Sequence, residues 1–269
     1  MGDAAFGDAV AYDRIADFYD LEHADFDEDI GLYRNFAEIV GDPILELGCG
    51  SGRILLPLAA DGHHVTGVDG SARMLARASE RAQAMGVSDR VTLERADMRA
   101  LSTKVGGPFG LVIVGLNTLL HLPTQEDQRS LLVAAHRVLD PRGQLVVDVL
   151  NPAPDLLHDL ARSVAHEGSW PHPEGGTVDK WSSRRIIASE QRLETTVWYD
   201  HVGGNGSLQR HRVAFDLRYL HLSELTLMLE AAGFVEWHAY GGYELEPYDD
   251  SSERLIVTAE VTPSASATR

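Results

Sequence analysis

The sequence predicts an α/β fold: a mostly parallel sheet with helices on both faces, carrying a small antiparallel sheet as a late insertion. Three observations carry this expectation. Short apolar runs alternate with helical patterns between residues 44 and 150. A glycine-rich turn, Gly48-Cys49-Gly50-Ser51-Gly52, follows the first of those runs. Beyond residue 160 the texture changes to long alternating stretches rich in Arg, Thr, Val and aromatics.

Residues 10–40 read as helical. Ile15, Ala16, Phe18 and Tyr19 form one apolar stripe, and Ile30, Tyr33, Phe36 and Val40 form another. The acidic stretch from Asp25 to Asp29 separates them, and Asp42-Pro43 breaks the second helix. Strands follow at Ile44–Leu47, Val65–Val68, Val91–Glu94, Leu111–Leu116 and Gln144–Leu150. The intervening helices run from Arg53 to Ala60, from a Ser71 cap to Met85, and from a Thr124/Asp127 capping box to Leu139. Asp140-Pro141-Arg142-Gly143 reads as a turn. In the insertion, Thr177–Ile187, Gln191–Val202 and Leu208–Tyr219 read as about three antiparallel strands, with Asn205-Gly206 as hairpin chemistry. A last helix, Ser223–Ala232, ends at Gly233. Phe234–Tyr240 and Arg254–Val261 close the chain as strands.

Composition narrows the function. Lys plus Arg total 23 against 41 Asp plus Glu, a formal net charge of −18. A field of that sign repels polyphosphate backbones, so a nucleic-acid partner is not expected. No apolar run approaches the ~18 residues of a membrane span. Met1 to Phe6 show no basic start followed by an apolar stretch, so the expected location is cytoplasmic. Cys49 is the only cysteine, which excludes an internal disulfide and a cysteine metal cluster. His63-His64 reads as a solvent-facing pair at the edge away from the strand ends that hold ligands, and no metal is expected.

Gly48, Gly50 and Gly52 follow a strand and open a helix, so main-chain N–H groups there can meet a ligand. A dinucleotide loop places its third glycine one residue later, where this chain has Arg53. A phosphate loop needs Gly-Lys-Ser/Thr, which is absent. Asp69, about 20 residues past the first glycine, can accept both hydroxyls of a ribose. That device serves NAD enzymes and methyltransferases alike.

In combination, Glu46-Leu47-Gly48-Cys49-Gly50-Ser51-Gly52, Asp69, Ala96-Asp97-Met98 and the end of strand four resemble the class I S-adenosylmethionine-dependent methyltransferases. The resemblance implies a Rossmann-like three-layer sandwich with a mostly parallel seven-stranded sheet and an antiparallel final strand. It implies S-adenosyl-L-methionine as cofactor, its methionine part on the glycine loop and Glu46 positioning its amino group or the loop. Asp97 would accept from the adenine amino group, the Met98 N–H would meet the ring, and Leu116 would sit at the same site. Met74 either packs on the adenine or is a core methionine. The helix Tyr12-Asp13-Arg14-Ile15-Ala16-Asp17-Phe18-Tyr19 is similar to one that folds over the cofactor in related enzymes. Tyr19 is assigned to the cofactor and Tyr12 to the pocket, against aromatic packing as the alternative for each.

After strand four comes Asn117-Thr118-Leu119-Leu120-His121. The Asp/Asn-Pro-Pro-aromatic signature of nucleic-acid amino-methyltransferases is missing. The segment is more similar to small-molecule enzymes, especially amino-sugar N-methyltransferases. Methyl transfer is an in-line displacement that rewards fixed geometry. His121 is placed to orient or deprotonate the acceptor, with Tyr12 beside it. Asn117, Trp170, Arg218 and Tyr243 are the candidates for acceptor contacts, alongside Trp181, Trp198, Tyr199, Arg184 and Tyr219. Sheet packing or a dimer contact is the competing role for the aromatics and arginines.

The expected activity is methyl transfer to N or O of a small soluble metabolite. The alternatives are a non-catalytic S-adenosylmethionine-binding protein and a methyltransferase for a protein side chain. The expected division is an N-terminal helical lid (1–41), the cofactor core (42–152) and an inserted flap on the acceptor side (153–220). The last helix and closing strands (221–261) and a disordered tail (262–269) complete it. A homodimer through the inserted sheet is the further expectation for partners.

Overall fold

The computed structural model describes residues 8–161 and 164–262. Two helices lead the chain, α1 (Ala9–Glu22) and α2 (Ile30–Val40). The alternating part then runs β1 (Ile44–Leu47), α3 (Leu55–Ala60), β2 (Val65–Asp69), α4 (Ala72–Met85), β3 (Val91–Arg95), β4 (Phe109–Val114), α5 (Gln125–Val138) and β5 (Leu139–Leu150). A short helix α6 (Pro154–Leu160) leads into four strands, β6 (Ala165–Pro171), β7 (Thr177–Ile187), β8 (Arg192–Val202) and β9 (Leu208–Arg218). The chain closes with α7 (Leu222–Ala232), β10 (Glu236–Tyr240) and β11 (Arg254–Glu260).

One sheet has seven strands in the order β10-β11-β5-β4-β1-β2-β3. The pairs from β5 through β3 are parallel, and β11 runs antiparallel to both β5 and β10. The strand order reverses between β1 and β4, so their carboxyl ends open a crevice where ligands collect in such sheets. β1 and β4 are buried throughout, as parallel strands covered on both faces must be. The second sheet, β6-β7-β8-β9, is antiparallel throughout. Its inner face packs Val178, Val197, Tyr199, Val213 and Phe215 against Ile15 and Phe18 of α1.

The acidic face of α1 ties it to α4. Asp17 and Asp20 pair with Arg77, and Asp17 also with Arg73. Asp13 accepts from the Ser71 hydroxyl at 2.5 Å and from the Arg73 N–H at 3.0 Å. Arg53, just before α3, forms a bidentate pair with fully buried Asp29 at 2.6 Å for both contacts. Much of the acidic stretch around α1 and α2 therefore has structural partners.

Several boundaries differ from expectation. The Thr124 and Ser71 caps form, accepting from the N–H of Asp127 and Met74, and Gly86 and Gly233 end their helices in left-handed conformation. Strand four stops at Val114 because Asp148 captures the chain beyond it: its carboxylate accepts the Leu116 N–H at 3.1 Å and its carbonyl the Asn117 N–H at 2.9 Å. Leu116 and Asn117 take positive φ of 44° and 67°, which a strand cannot. β5 begins at Leu139 rather than Gln144, since Leu139 already pairs with Phe109. The insertion has four strands instead of three. β6 escaped because its exposed edge carries little apolar alternation. The expectation of disorder for 263–269 falls outside the described residues.

Candidate active site

A cavity of about 510 Å³ lies where the carboxyl ends of β1, β2, β3 and β4 meet α1 and the second sheet. Gly48, Gly50 and Glu46 supply its floor, Asp69, Met74, Asp97 and Met98 one side, and Leu116, Asn117 and His121 another. Tyr12 and Tyr19 of α1 roof it, with Arg184, Thr195 and Phe215 of the second sheet.

The glycine loop is held by contact. A Cβ on Gly48, whose φ is +73°, would lie 2.4 Å from a Thr118 methyl, so only glycine lets the loop approach the turn after β4. Gly52 serves differently: a Cβ there would meet Leu56 at 2.9 Å and Ala78 at 3.5 Å. It does not line the cavity, and the structure gives it the packing of α3 on α4.

Two carboxylates, buried Glu46 and half-buried Asp69, face the cavity without a hydrogen bond from a cationic side chain. Asp69 accepts the Gly50 N–H at 2.9 Å and the Ser71 N–H at 2.7 Å. Glu46 keeps Oε2 buried with no hydrogen-bond partner among the described residues. Burial raises the pKa of both above the ordinary carboxyl range, Glu46 strongly. A ligand with an ammonium and vicinal hydroxyls supplies what these groups lack, so the residues fit S-adenosylmethionine.

Asp97 is oriented by Arg99. Its carboxylate accepts from the Arg99 backbone N–H at 2.9 Å and from the guanidinium at 2.7–3.1 Å. Partial burial opposes ionisation, but those bonds hold Asp97 below its usual range. Met74 is fully buried and borders the cavity. The Asn117 side-chain oxygen accepts the Leu150 N–H at 2.7 Å and is thereby committed to the backbone.

At the roof, the Tyr12 hydroxyl lies 3.1 Å from His121 Nε2, and His121 Nδ1 lies 2.7 Å from Asp8 Oδ2. Tyr19 stacks on His23 with ring centroids 4.1 Å apart. Burial raises the phenol pKa of both tyrosines, so both remain protonated at neutral pH. Desolvation lowers that of His23.

Six acceptor candidates lie outside the cavity: Trp181, Trp198 and Tyr219, together with Trp170, Arg218 and Tyr243. Trp170 sits on β6, an edge strand of the second sheet, paired with Val178. Arg218 is buried between Gln128 at 2.7 Å, Gln191 at 3.3 Å and Glu224 at 2.6 Å, a network that joins β9 to α5 and α7. Tyr243 faces Arg254 and Phe26. Each aromatic or arginine was a candidate by type, and partner geometry turned it elsewhere. Conversely, Asp8, Arg53, Thr118, Lys180, Thr195, Val197, Phe215 and Leu217 line the cavity without having been assigned to it. The alternation of β7–β9 could have picked the strand residues once one of them was placed. His63 and His64 both contact Asp42 at the opposite edge, and no described cluster could hold a metal ion.

Residues 44–143 match the family model described as a methyltransferase domain. Over nearly the whole chain the sequence is 28% identical to the cypemycin N-terminal methyltransferase of a Streptomyces species, covering 94% of this chain and 98% of that protein. Other curated relatives are matched over about half their length, as with 56% of the putative methyltransferase YqeM of Bacillus subtilis at 33% identity and 52% of this chain. Among solved structures, the CcbJ methyltransferase of Streptomyces caelestis superposes with a TM-score of 0.76 at 26% identity, covering 96% and 99% of the two chains. The sugar N-methyltransferase KedS8 of Streptoalloteichus shares the fold at a TM-score of 0.72 and 21% identity, over 91% and 92%. Residues 44–143 thus match a methyltransferase domain, and the chain around them has a methyltransferase-like fold.

Proposed function

We propose that this protein transfers a methyl group from S-adenosylmethionine to nitrogen, or oxygen, of a small molecule. One observation carries the reading: a single cavity joins the Glu46–Gly50 loop and Asp69 to the Tyr12–His121 pair. The cofactor supplies an electrophilic methyl on a sulfonium. Glu46 and Asp69 would hold its ammonium and ribose, and Asp97 with the Met98 N–H its adenine. The α1 helix would act as a lid, since Tyr12 and Tyr19 cover the site and the Asp17–Arg77 and Asp20–Arg77 pairs latch it to α4.

The acceptor would enter between α1 and the second sheet, against Thr195, Val197, Phe215 and Leu217. There His121 would orient the acceptor or take its proton. The sugar N-methyltransferase KedS8 among the structural relatives favours an amine. The nearly full-length match to the cypemycin N-terminal methyltransferase favours a second reading, an N-terminal amine. Isothermal calorimetry should show binding of S-adenosylmethionine and S-adenosylhomocysteine but not of NAD. A panel of amino sugars, peptides and phenols, read by S-adenosylhomocysteine release, then separates the acceptors. Binding of NAD with none of the sulfonium would overturn the assignment.

A further inference from the structure

We propose that Asp8 is a positioning residue that locks His121 in the Nδ1-protonated tautomer and so turns Tyr12 and His121 into a one-way proton path from the acceptor. The inference rests on the methyltransferase reading for its chemistry, but its geometry stands alone. Asp8 is the residue before α1, where an aspartate ordinarily accepts from the N–H groups of its own helix. Here the side chain makes no such bond. It crosses to His121 Nδ1 at 2.7 Å instead, spanning 113 residues of sequence.

A carboxylate can only accept, so Nδ1 of a neutral ring must carry the proton. Nε2 then presents a lone pair, and the Tyr12 hydroxyl 3.1 Å away donates to it. The reverse tautomer would set a carboxylate against a ring lone pair at 2.7 Å. Tyr12 is packed edge-on against Tyr19 and tilted on Phe215, with centroids at 5.9 and 5.1 Å, so its hydroxyl has little freedom to turn away. Tyr12 also lines the cavity, and a phenol oxygen that donates its proton can still accept one.

In the path, the acceptor nitrogen forms the bond to methyl as the carbon–sulfur pair departs to sulfur. The ammonium so formed gives one proton to the Tyr12 oxygen while the phenol proton moves to Nε2. The resulting imidazolium is balanced by Asp8, and it returns its proton to solvent after product leaves. Because Asp8 belongs to the start of α1, the path is complete only when that helix is docked.

The test is ring-nitrogen NMR of the full-length protein, with His121 signals identified by their loss in His121→Gln. At a pH where the ring is neutral, the wild type and Asp8→Asn should carry the proton on Nδ1, since an amide oxygen still accepts it. Asp8→Ala should shift to the Nε2-protonated form. Turnover should fall about 10-fold or more in Asp8→Ala and be partly kept in Asp8→Asn, with calorimetric cofactor affinity unchanged. An Nε2-protonated wild type, or an Asp8→Ala ring unchanged from wild type, would overturn the proposal. Failure of the wild type to bind S-adenosylmethionine would instead strike the methyltransferase reading and leave the tautomer result intact.

Discussion

The carboxylate of Asp69 accepts the N–H of Gly50 at 2.9 Å, clamping the end of β2 to the glycine loop that follows β1. The same group accepts the Ser71 N–H through its other oxygen. It thus shapes the loop, with lone pairs left over that would serve a ribose. Asp69→Ala should lose about 1–3 kcal/mol of cofactor binding and some stability, because two backbone N–H groups are left without partners. Asp69→Asn should do nearly as badly, as its amide NH₂ would face one of those N–H groups. Calorimetry and thermal unfolding of both variants check this; unchanged affinity in both would place the cofactor elsewhere.

Glu46 carries a pH signature. Burial raises its folded pKa well above the ordinary carboxyl value of 4.5. A raised pKa contributes stability that is fully present below about pH 4.5 and is lost as pH rises through the folded value. Glu46→Gln removes that loss. The cofactor-free variant should therefore be more stable than wild type at pH 8, while binding S-adenosylmethionine about 10-fold or more weakly. Thermal unfolding against pH tests the first part, and a variant less stable at pH 8 would refute it.

The Arg53–Asp29 pair should be a stability element. Removing one partner of a buried, bidentate pair leaves an uncompensated charge, and Asp29→Ala should cost about 3–5 kcal/mol. Urea unfolding gives the number. A loss below 1 kcal/mol would mean that solvent reaches the pair.

His121→Ala should lower turnover by about 10²–10⁴-fold if His121 takes the proton, and by less if it only orients the acceptor. Tyr12→Phe should lower it too, because the hydroxyl is lost while the packing on Phe215 stays. Cofactor affinity should hardly change in either. Wild-type turnover in His121→Ala would remove the residue from the site.

Arg218 separates a structural role from a site role. Arg218→Ala strands Gln128 and Glu224, so it should destabilise the fold by about 3 kcal/mol with little change in acceptor KM for the protein that remains folded. A selective rise in KM at unchanged stability would return Arg218 to the site.

Local chemistry made most of the first sheet and the cofactor end legible. Period-2 and period-3.6 patterns, caps at Ser71 and Thr124, and glycines at helix ends act over a few residues, so their outcome can be read in order along the chain. Gly48, Gly50, Asp69 and Asp97 sit at strand ends, and the topology of a parallel sheet carries such ends to one edge. What the sequence determined by itself was therefore the alternation, the glycine loop and the acidic residues facing it. Tertiary structure alone decided which distant groups meet. Asp148 stopped β4 at Val114, Asp8 reached His121, and Glu224 drew Arg218 away from the cavity. These contacts pair side chains far apart in sequence or on different elements, and many acids and bases in this chain could have competed for them. Only the packing of α1 and the second sheet over the crevice chose among them, because a buried charge or N–H must find a partner within hydrogen-bond reach wherever the backbone sets it.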